Sequence, residues 1–429
     1  MVSSVRTKVG RDLVSADRGL SAMNVERAGR PRALWITDEP PDRGLGGGNI
    51  RQAHLLQGLS RVADVCLLVV GDLGDRQVRD SLAELIEVPA VKLPEPRRKF
   101  ARRLFDLWMA LGAKGPREVA ITARRRRRLR ELVAQIEPRF DLVIASHLGM
   151  AALLPPRRTA RWVVQLHHVS SAKAAQEQAL APGRRQRWLL VREEAKAQRF
   201  ERWVLGAYDA CITVSDEDAV LFRALDGSPA PGCLLVAPNG VDTDQYGRSP
   251  FPRGHMIVMA GSFNYGPNVD GAVWFCDEVL PLVQREVPDA TLSLVGREPS
   301  WEVKELAGRN GVSVHPDVPS MVPWFAQARL TVVPLRIGTG TRLKALESMA
   351  AGRPVVGTTI GLSGLGLINR VHAHIVDDPT IMAQSIIELL VDDEHASSLA
   401  RAGRELVESR FEWSGIADEL SQRLLALAR

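Results

Sequence analysis

The chain has 429 residues, of which 45% are hydrophobic and 25% are charged. This composition is typical of a globular protein, and the length predicts two or three domains. No run of about 18 uninterrupted apolar residues occurs, so the sequence predicts no transmembrane helix. The four cysteines are widely separated and form no CxxC pair, which disfavours a zinc site or a disulfide framework. We therefore expect a cytoplasmic protein.

The net charge of +6 is unevenly distributed along the chain. Residues 251–429 hold 16 Lys and Arg against 21 Asp and Glu, a balance of −5, whereas residues 1–250 hold 40 against 29, a balance of +11. This asymmetry predicts two halves with different partners. Residues 1–30 are polar and basic and lack the apolar segment of a signal peptide. We expect them to be a disordered basic tail, with Met23 as an alternative start.

Short apolar runs alternate with helical patterns in the first half of the chain. Each run ends in polar or turn-forming residues, and the runs cover residues 32–37, 62–70, 140–147, 161–168 and 208–215. Continuous apolar strands that alternate with helices predict a parallel sheet covered on both faces. The first half is therefore expected to be a doubly wound α/β domain.

Segment 236–246 interrupts this alternation, which then resumes. Five further apolar runs follow, at residues 255–261, 290–296, 312–315, 329–334 and 353–358. They predict a second doubly wound α/β domain, with N-terminal and C-terminal domains at 31–248 and 249–412. Ligands of such sheets bind beyond the carboxyl ends of the strands. Two domains that face each other would thus form one ligand-binding cleft.

The most informative segment, residues 334–358, reads PLRIGTGTRLKALESMAAGRPVVGT. It predicts a strand end, a glycine-containing bend and a helix that begins near Thr341. Backbone N–H groups at a helix start bind anions, and Arg342 and Lys344 place two cations where the helix dipole disfavours them. This arrangement indicates an external anion, with Glu347 as an acceptor for ribose hydroxyls. A surface helix with a Lys344–Glu347 ion pair is the alternative interpretation.

This segment resembles, over about twenty positions, the donor-site signature of the retaining GT-B glycosyltransferases of family 4, the glycosyl transferases group 1. Three further stretches resemble the same family: NGVD at 239–242, GSFNYGPNVDGAVWF at 261–275 and FEWSGIADEL at 411–420. The resemblance implies two facing Rossmann-like domains, an N-terminal one for the acceptor and a C-terminal one for the donor. It also implies a C-terminal helix, at 413–429, that packs back on the first domain.

The resemblance also implies a donor site assembled from several segments. We expect the donor to contact Gly47, Gly48, Gly261, Gly340, Thr341, Arg342, Leu343, Lys344 and Glu347. Arg342 and Lys344 would stabilise the leaving diphosphate, because the family's usual Arg and Lys after the first strand of the second domain are absent, and Ser262 and the Pro267–Asn268 pair stand there. The family's Glu-x7-Glu pair is incomplete, since Thr339 occupies its first position.

We predict functional roles for two further segments of the first domain, a glycine cluster and a histidine-containing segment. The glycine cluster at 44–49 lacks the last glycine of G-x-G-x-x-G, so it predicts either a simple connection or, from the resemblance, a loop near the donor phosphates. The segment QLHHVSSAK resembles the family's L-H-N/D-V-E-S motif, which implies that His167 lies near the transferred sugar. We include His167 among the catalytic residues without assigning it general-base chemistry. A structural histidine is the alternative, and His54 and His147 are interpreted as structural or cleft-lining.

Segment 97–130 is strongly basic, with 13 Lys and Arg against Asp106 and Glu118, and it interleaves aromatic and apolar residues. This pattern is typical of an interfacial helix, so we expect peripheral contact with an anionic membrane at its inner face. A solvated helix pair is the alternative. Nucleic acid is disfavoured as a partner, because no DNA- or RNA-binding module is present.

These observations and the resemblance together predict a hexosyltransferase that moves a sugar from a nucleotide-diphosphate sugar to an acceptor hydroxyl with retention. The acceptor would be a carbohydrate or a lipid-linked precursor of cell-surface polysaccharide or glycolipid. We recognise no Asp-x-Asp motif that would hold a metal on the diphosphate, so we expect neither a metal nor a cofactor. Two alternatives stay open: a nucleotide-sugar 2-epimerase, or a degenerate GT-B protein that acts as a binding module.

Overall fold

The structure is a computed structural model that describes residues 5–8, 29–38, 40–42, 47–70, 82–88, 126–181, 183–225, 234–247 and 251–429. The chain separates into two compact units. The first unit comprises Met1–Ala237 together with Ser414–Arg429, and the second unit comprises Pro238–Trp413. A parallel β-sheet with helices forms the framework of each unit.

Strands and helices alternate along the described part of residues 1–237. The strands are β1 (Val5–Lys8), β2 (Arg32–Thr37), β3 (Asp64–Val70), β4 (Glu84–Val88), β5 (Leu142–Ala145), β6 (Arg161–Leu166), β7 (Ala210–Thr213) and β8 (Leu234–Val236). The helices are α1 (Gly47–Ser60), α2 (Arg126–Ile136), α3 (Leu148–Ala151), α4 (Ser170–Ala179), α5 (Arg184–Ala207) and α6 (Asp216–Arg223).

The same alternation continues through residues 251–429. The strands are β9 (Met256–Ser262), β10 (Thr291–Arg297), β11 (Val312–Pro316), β12 (Leu330–Val333), β13 (Val355–Gly357) and β14 (His374–Ile375). The α-helices are α7 (Gly266–Trp274), α8 (Leu280–Glu286), α9 (Trp301–Glu305), α10 (Val322–Gln327), α11 (Leu343–Ala350), α12 (Pro379–Val391), α13 (Asp393–Arg410) and α14 (Trp413–Ala428). A π-helical turn, Phe275–Val279, joins α7 to α8.

The sheet of the first unit has the strand order β1-β4-β3-β2-β5-β6-β7-β8, and neighbouring strands run parallel. Central strand β2 shows the register: Leu34 pairs with Cys66 of β3 on one side and with Val143 of β5 on the other. All three residues are buried. Burial along whole strands requires cover on both faces of the sheet, which confirms the doubly wound arrangement predicted from the apolar runs.

Within residues 1–30, for which the sequence predicts a disordered tail, the structure describes Val5–Lys8. These residues form β1, which pairs in parallel with β4 through Val5 opposite Glu84 and Lys8 opposite Glu87. An edge strand exposes unpaired backbone N–H and C=O groups, and an added strand satisfies them. Residues 1–4 and 9–28 lie outside the described part of the chain.

The sheet of the second unit has the order β11-β10-β9-β12-β13-β14, again with parallel neighbours. This unit begins at Pro238 rather than near residue 248, the boundary expected from the sequence. The physical reason is a set of hydrogen bonds with the far end of the same unit. Val241 N donates to Phe411 O at 2.8 Å, and Thr243 N donates to the Glu412 carboxylate at 3.0 Å.

The last helix, α14, contributes to the first unit through Ser414–Arg429. Its backbone approaches α1 closely, because a Cβ atom built on Gly58 would lie only 2.6 Å from Cβ of Ala417. Arg61 adds an ion pair with Asp418, with 2.7 Å between Nη1 and Oδ1. Both partners of this pair are exposed, so the close α1–α14 packing stabilises the contact more than the charges do.

Two predictions concern membranes: the absence of a transmembrane helix and peripheral contact through segment 97–130. Across the described ranges, no helix has the combination of length and apolarity that a bilayer crossing requires. Of the basic segment 97–130, residues 97–125 lie outside the described part of the chain. The remaining residues begin α2, so membrane contact through this segment stays a prediction.

Candidate functional site

The loop between β12 and α11 has the backbone shape that its glycines predict. Gly338 has φ of 134° and Gly340 has φ of 85°, both in the region that favours glycine. A Cβ atom on Gly338 would also lie 2.7 Å from Nη2 of Arg342. The helix begins at Leu343, two residues after the expected Thr341. The glycines therefore let the chain fold tightly around the Arg342 side chain.

Arg342 occupies the N-cap position of α11 and makes no side-chain capping hydrogen bond there. Its guanidinium folds back over the loop: Nη1 donates to Thr339 O at 2.6 Å and Nη2 donates to Ile360 O at 3.2 Å. Arg342 therefore fixes the shape of the loop, a role that the sequence did not predict. The helix N-terminus beside it carries the positive end of the helix dipole.

Lys344, in the first turn of α11, is held by a residue from α7. Its Nζ donates to Oδ1 of Asn268 at 2.7 Å, and Nδ2 of Asn268 donates to Ser262 O at the end of β9 at 2.8 Å. Burial and the nearby Arg342 charge lower the pKa of Lys344 to about 7, although Glu347 opposes this shift. The ammonium group is thus positioned but poorly neutralised, as expected of a site for an anion.

Gly261 lies directly beside this pair. A Cβ atom at Gly261 would be 2.9 Å from Nδ2 of Asn268 and 3.0 Å from Nζ of Lys344. The position therefore needs glycine because two functional side chains occupy the space. The structure brings the predicted residues Gly261 and Lys344 together, and it adds Asn268 between them.

Glu347 lies one turn along α11 and pairs with Tyr246, whose ring is buried. The Tyr246 hydroxyl donates a hydrogen bond to the Glu347 carboxylate. Burial raises the pKa of Glu347, while this hydrogen bond and the Lys344 charge partly oppose the shift. Tyr246 thus fixes the carboxylate that the sequence assigned to the ribose. Tyr246 itself was missed, because nothing in its local pattern links it to a helix a hundred residues away.

The loop is also tied to the segment that begins the second unit. Asn239 N donates to Oγ1 of Thr341 at 3.1 Å, and Nδ2 of Asn239 contacts Thr341 O at 3.4 Å. The NGVD stretch that resembles the family's interdomain marker is therefore in direct contact with the predicted donor loop. On the other side, Arg336 forms two hydrogen bonds with Asp270 of α7, at 2.9 and 2.5 Å.

In the first unit, Gly47 and Gly48 form the start of α1, whereas residues 43–46 lie outside the described part of the chain.

The strand ends of the first unit carry a connected set of polar side chains. Nδ1 of His147 accepts a hydrogen bond from Gly149 N at 3.0 Å, so Nε2 carries the proton and donates to Asp38 in a short hydrogen bond. Burial raises the pKa of Asp38, but the contact with His147 outweighs burial and lowers it.

His167 follows β6 and belongs to the same set. Gln52 orients it: the Trp35 indole donates to Oε1 of Gln52 at 2.7 Å, so Nε2 of Gln52 faces His167, at 3.4 Å from its Nε2 atom. The His147 and His167 rings are 6.3 Å apart. The sequence singled out His167 but missed Asp38 and Gln52, because their roles follow only from how the strands are ordered in the sheet.

The chain contains two Asp-x-Asp sequences, at 216–218 and 242–244. From the sequence we expect neither of them to hold a metal ion on the donor diphosphate. The first lies in the opening turn of α6, where Ser215 caps Asp218 N at 3.0 Å. The second adjoins Tyr246, whose pKa Asp242 helps to raise. The first sequence thus has a local structural role at the start of α6, and metal independence stays a prediction.

Comparison with known families covers most of the chain. A model described as "Glycosyltransferase Family 4" matches residues 45–245, and one described as "Glycosyl transferases group 1" matches residues 254–392. The chain is 26% identical to a glycogen synthase of Mycobacterium tuberculosis over 58% of its own length and 62% of the relative's. It is 27% identical to a GDP-mannose-dependent phosphatidylinositol monomannoside mannosyltransferase of the same organism, over 44% and 55% of the respective lengths. The match thus spans less than two thirds of either curated relative.

Solved structures show the same fold at low sequence identity. Sucrose-phosphate synthase from Thermosynechococcus elongatus aligns with a TM-score of 0.66 and 19% identity, over 94% of this chain and all of that one. Anabaena HepE, solved with UDP and glucose, aligns with a TM-score of 0.62 and 14% identity, over 92% and 99% of the two chains. The fold and the family predicted from the sequence are confirmed. The chain belongs to the group 1 glycosyltransferases of family 4 and has the GT-B fold.

Proposed function

We propose that this protein transfers a sugar from a nucleotide-diphosphate sugar to an acceptor hydroxyl with retention of anomeric configuration. The observation that carries the proposal is the cation pair at the start of α11, where Lys344 is held 2.7 Å from Asn268 beside Arg342. Two similar proteins support this donor class, since HepE was solved with UDP and glucose and the mycobacterial mannosyltransferase depends on GDP-mannose.

The leaving diphosphate is the group that this cation pair would stabilise. Cleavage of the anomeric bond leaves negative charge on the diphosphate, and fixed positive groups lower the energy of that charge separation. Lys344 has a pKa of about 7 in the free protein, and a bound diphosphate would raise it and favour the ammonium form. Arg342 and the N–H groups at the start of α11 would add further donors. We propose that these groups act without a metal ion.

Glu347 would bind the ribose of the same donor. An ionised carboxylate accepts hydrogen bonds from both ribose hydroxyls, and Tyr246 restricts the position of this one. Because Glu347 follows Lys344 by three residues, the two side chains lie on the same side of α11. One helix turn would thus hold the diphosphate and the ribose of one nucleotide.

In the first unit, His167 would lie near the transferred sugar, held in place by Gln52. The Asp38–His147 pair would supply fixed hydrogen-bonding groups for sugar hydroxyls. We propose that no separate catalytic base acts and that the departing phosphate takes the acceptor proton. The acceptor is proposed to be a carbohydrate or lipid-linked precursor of cell-surface polysaccharide or glycolipid. The two mycobacterial relatives support it, one named for glycogen and one for a phosphatidylinositol mannoside.

A thermal-shift screen tests the donor site directly. UDP, GDP, ADP, UDP-glucose and GDP-mannose are each added to the protein, once with EDTA and once with Mg²⁺. Selective binding to the folded state raises the melting temperature, and we expect one base to stabilise the protein equally in both conditions. Stabilisation that requires Mg²⁺ would contradict metal independence, and no stabilisation by any nucleotide would contradict the donor site. Proton NMR of the anomeric signal in the product then tests retention.

A further inference from the structure

A second cluster of chemically active side chains lies elsewhere in the second unit. Among the described residues, one group of three potential ligands has all its ligand atoms within 4.8 Å of one another: His374, Glu388 and His395. His374 belongs to β14, Glu388 to α12, and His395 to the first turn of α13. Three separate elements therefore converge on one point, which the donor site does not use.

Two distances within this cluster are close to those between ligands of one metal ion. Nε2 of His374 and Nε2 of His395 are 3.0 Å apart, and Nε2 of His395 is 3.5 Å from Oε1 of Glu388. Ligands at about 2.0–2.1 Å from a tetrahedral zinc ion are separated by about 3.3–3.4 Å. These two separations lie on either side of this value, and the ligand atoms of His374 and Glu388 lie within 4.8 Å of each other. One ion could be bound by all three if the Glu388 side chain moves towards His374.

His374 presents one ring nitrogen, Nε2, to the cluster. The residue is fully buried, and its Nδ1 atom makes no hydrogen bond in the structure. Its only polar contact among the hydrogen bonds of the described residues is therefore through Nε2, towards His395. Metal binding would replace this hydrogen bond, so the proton that lies between the two Nε2 atoms would move to Nδ1 of the same ring or be released to solvent.

Arg370 is the group that opposes a cation here. Its Nη2 atom lies 2.6 Å from Oε1 of Glu388, and its side chain is 56% exposed. An ion pair this exposed contributes little stability, so Arg370 can move into solvent and release the carboxylate. The backbone of His395 is fixed independently, because Asp392 accepts a hydrogen bond from His395 N at 2.9 Å.

We propose that His374, His395 and Glu388 form a binding site for a divalent transition-metal ion, with zinc as the preferred ion. Two imidazoles and one carboxylate are a known zinc ligand set, and water would fill the fourth position. The ion would join β14 to α12 and α13 and so stabilise the second unit. This inference goes beyond the proposed transfer reaction, because it concerns folding stability and involves none of the donor-site residues.

The test uses metal-free, full-length protein without an affinity tag. Zn²⁺ is titrated by calorimetry, and Co²⁺ is used as a spectroscopic substitute whose visible absorption reports tetrahedral coordination. We expect one equivalent to bind and to raise the melting temperature. His395→Gln and Glu388→Gln should each weaken Zn²⁺ binding by about 100-fold or more, since a ligand matters more than the outer-shell partners whose loss weakens binding about 10- to 100-fold. Both positions are partly exposed, so these variants are expected to fold.

Two comparison variants make the result decisive. His255→Gln removes an imidazole paired with Asp289 at 2.9 Å elsewhere in the unit, and it should leave Zn²⁺ binding unchanged. Arg370→Gln frees Glu388 and removes a positive charge, so it should tighten Zn²⁺ binding by about tenfold. The proposal is overturned if no saturable binding occurs, if His395→Gln binds Zn²⁺ as the parent does, or if Arg370→Gln weakens binding. None of these measurements depends on nucleotide binding or sugar transfer.

Discussion

The two units place polar side chains at the carboxyl ends of parallel strands, but they collect different chemistry there. In the second unit, Asn268 and Ser262 position the Lys344 ammonium beside Arg342. In the first unit, Asp38, Gln52, His147 and His167 form a set of one carboxylate, one amide and two imidazoles. The set in the second unit carries positive charge, whereas Asp38 and His147 largely satisfy each other.

Under the proposed function, this difference would let one sheet architecture support two kinds of recognition. A diphosphate needs fixed positive charge, and the second unit supplies it at a helix start. Sugar hydroxyls both donate and accept hydrogen bonds, and imidazole and amide groups can do the same. The fold therefore sets where ligands bind, while the side chains at the strand ends decide which ligand binds. Substitutions in each unit should separate nucleotide binding from sugar transfer.

Lys344→Met should have the largest effect. It keeps the length of the side chain but removes the ammonium and leaves Oδ1 of Asn268 without its donor. Loss of a hydrogen bond to a charged group corresponds to about 1.5–3 kcal/mol, so UDP affinity should fall by about 100-fold. Calorimetry measures the change with the nucleoside diphosphate that stabilises the protein in the thermal-shift screen, which UDP stands for here and below. Lys304→Met, which replaces an exposed lysine on α9, is the matched control and should bind UDP normally. Unchanged affinity in Lys344→Met would show that the second unit is not the anion site.

His167→Ala should slow the reaction of the donor sugar without weakening UDP binding. It removes the imidazole that Gln52 contacts at 3.4 Å but leaves the cation pair of the second unit intact. We expect UDP affinity to stay within about twofold, while UDP release from UDP-glucose slows by about 30-fold, as the loss of one hydrogen bond of about 2 kcal/mol predicts. Equal losses of UDP affinity and turnover would mean that His167 supports the fold rather than the sugar.

The sequence predicted the fold and the bend and helix of segment 334–358 because both depend on local patterns. Apolar runs identify buried parallel strands, and the glycines, cations and glutamate of segment 334–358 lie within one loop and one helix. The bend at Gly338 and Gly340 and the helix after it appear in the structure close to where they were expected. Such features need no knowledge of which elements become neighbours.

The parts that were missed depend on contacts between distant segments. Asn268 reaches Lys344 across 76 residues, and Asp38 reaches His147 across 109. Neither pair has a spacing that a sequence pattern could reveal, since the sheet order brings the partners together. The start of the second unit at Pro238 depends on contacts of the same kind, because Val241 pairs with Glu412 at the far end of that unit.

Gly261→Ala should have a smaller effect that tests the packing of the cation pair. The new methyl group would meet Nδ2 of Asn268 at 2.9 Å and Nζ of Lys344 at 3.0 Å, so both side chains must shift. We expect UDP affinity to fall by about tenfold with the fold retained, which corresponds to losing part of one charged hydrogen bond of about 1.5–3 kcal/mol. Gly266→Ala is the control, because a methyl group added there would meet no atom within 4 Å. Similar UDP affinities in the two variants would contradict the close approach of Gly261 to Lys344.

The smallest expected effect is a pH dependence of nucleotide binding. The pKa of Lys344 in the free protein is about 7, because burial and the Arg342 charge disfavour the ammonium form. A bound diphosphate favours that form, so binding takes up a proton above pH 7 and affinity must fall as the pH rises. Between pH 7 and pH 8 the protonated fraction falls from about one half to about one tenth, which predicts about fivefold weaker UDP binding. Lys344→Met should bind UDP weakly but with a flat profile over this range. If the variant kept the slope of the parent, another group would be responsible for it, and the contrast between the cationic side chains at the start of α11 and the mutually paired Asp38 and His147 of the first unit would lose its basis.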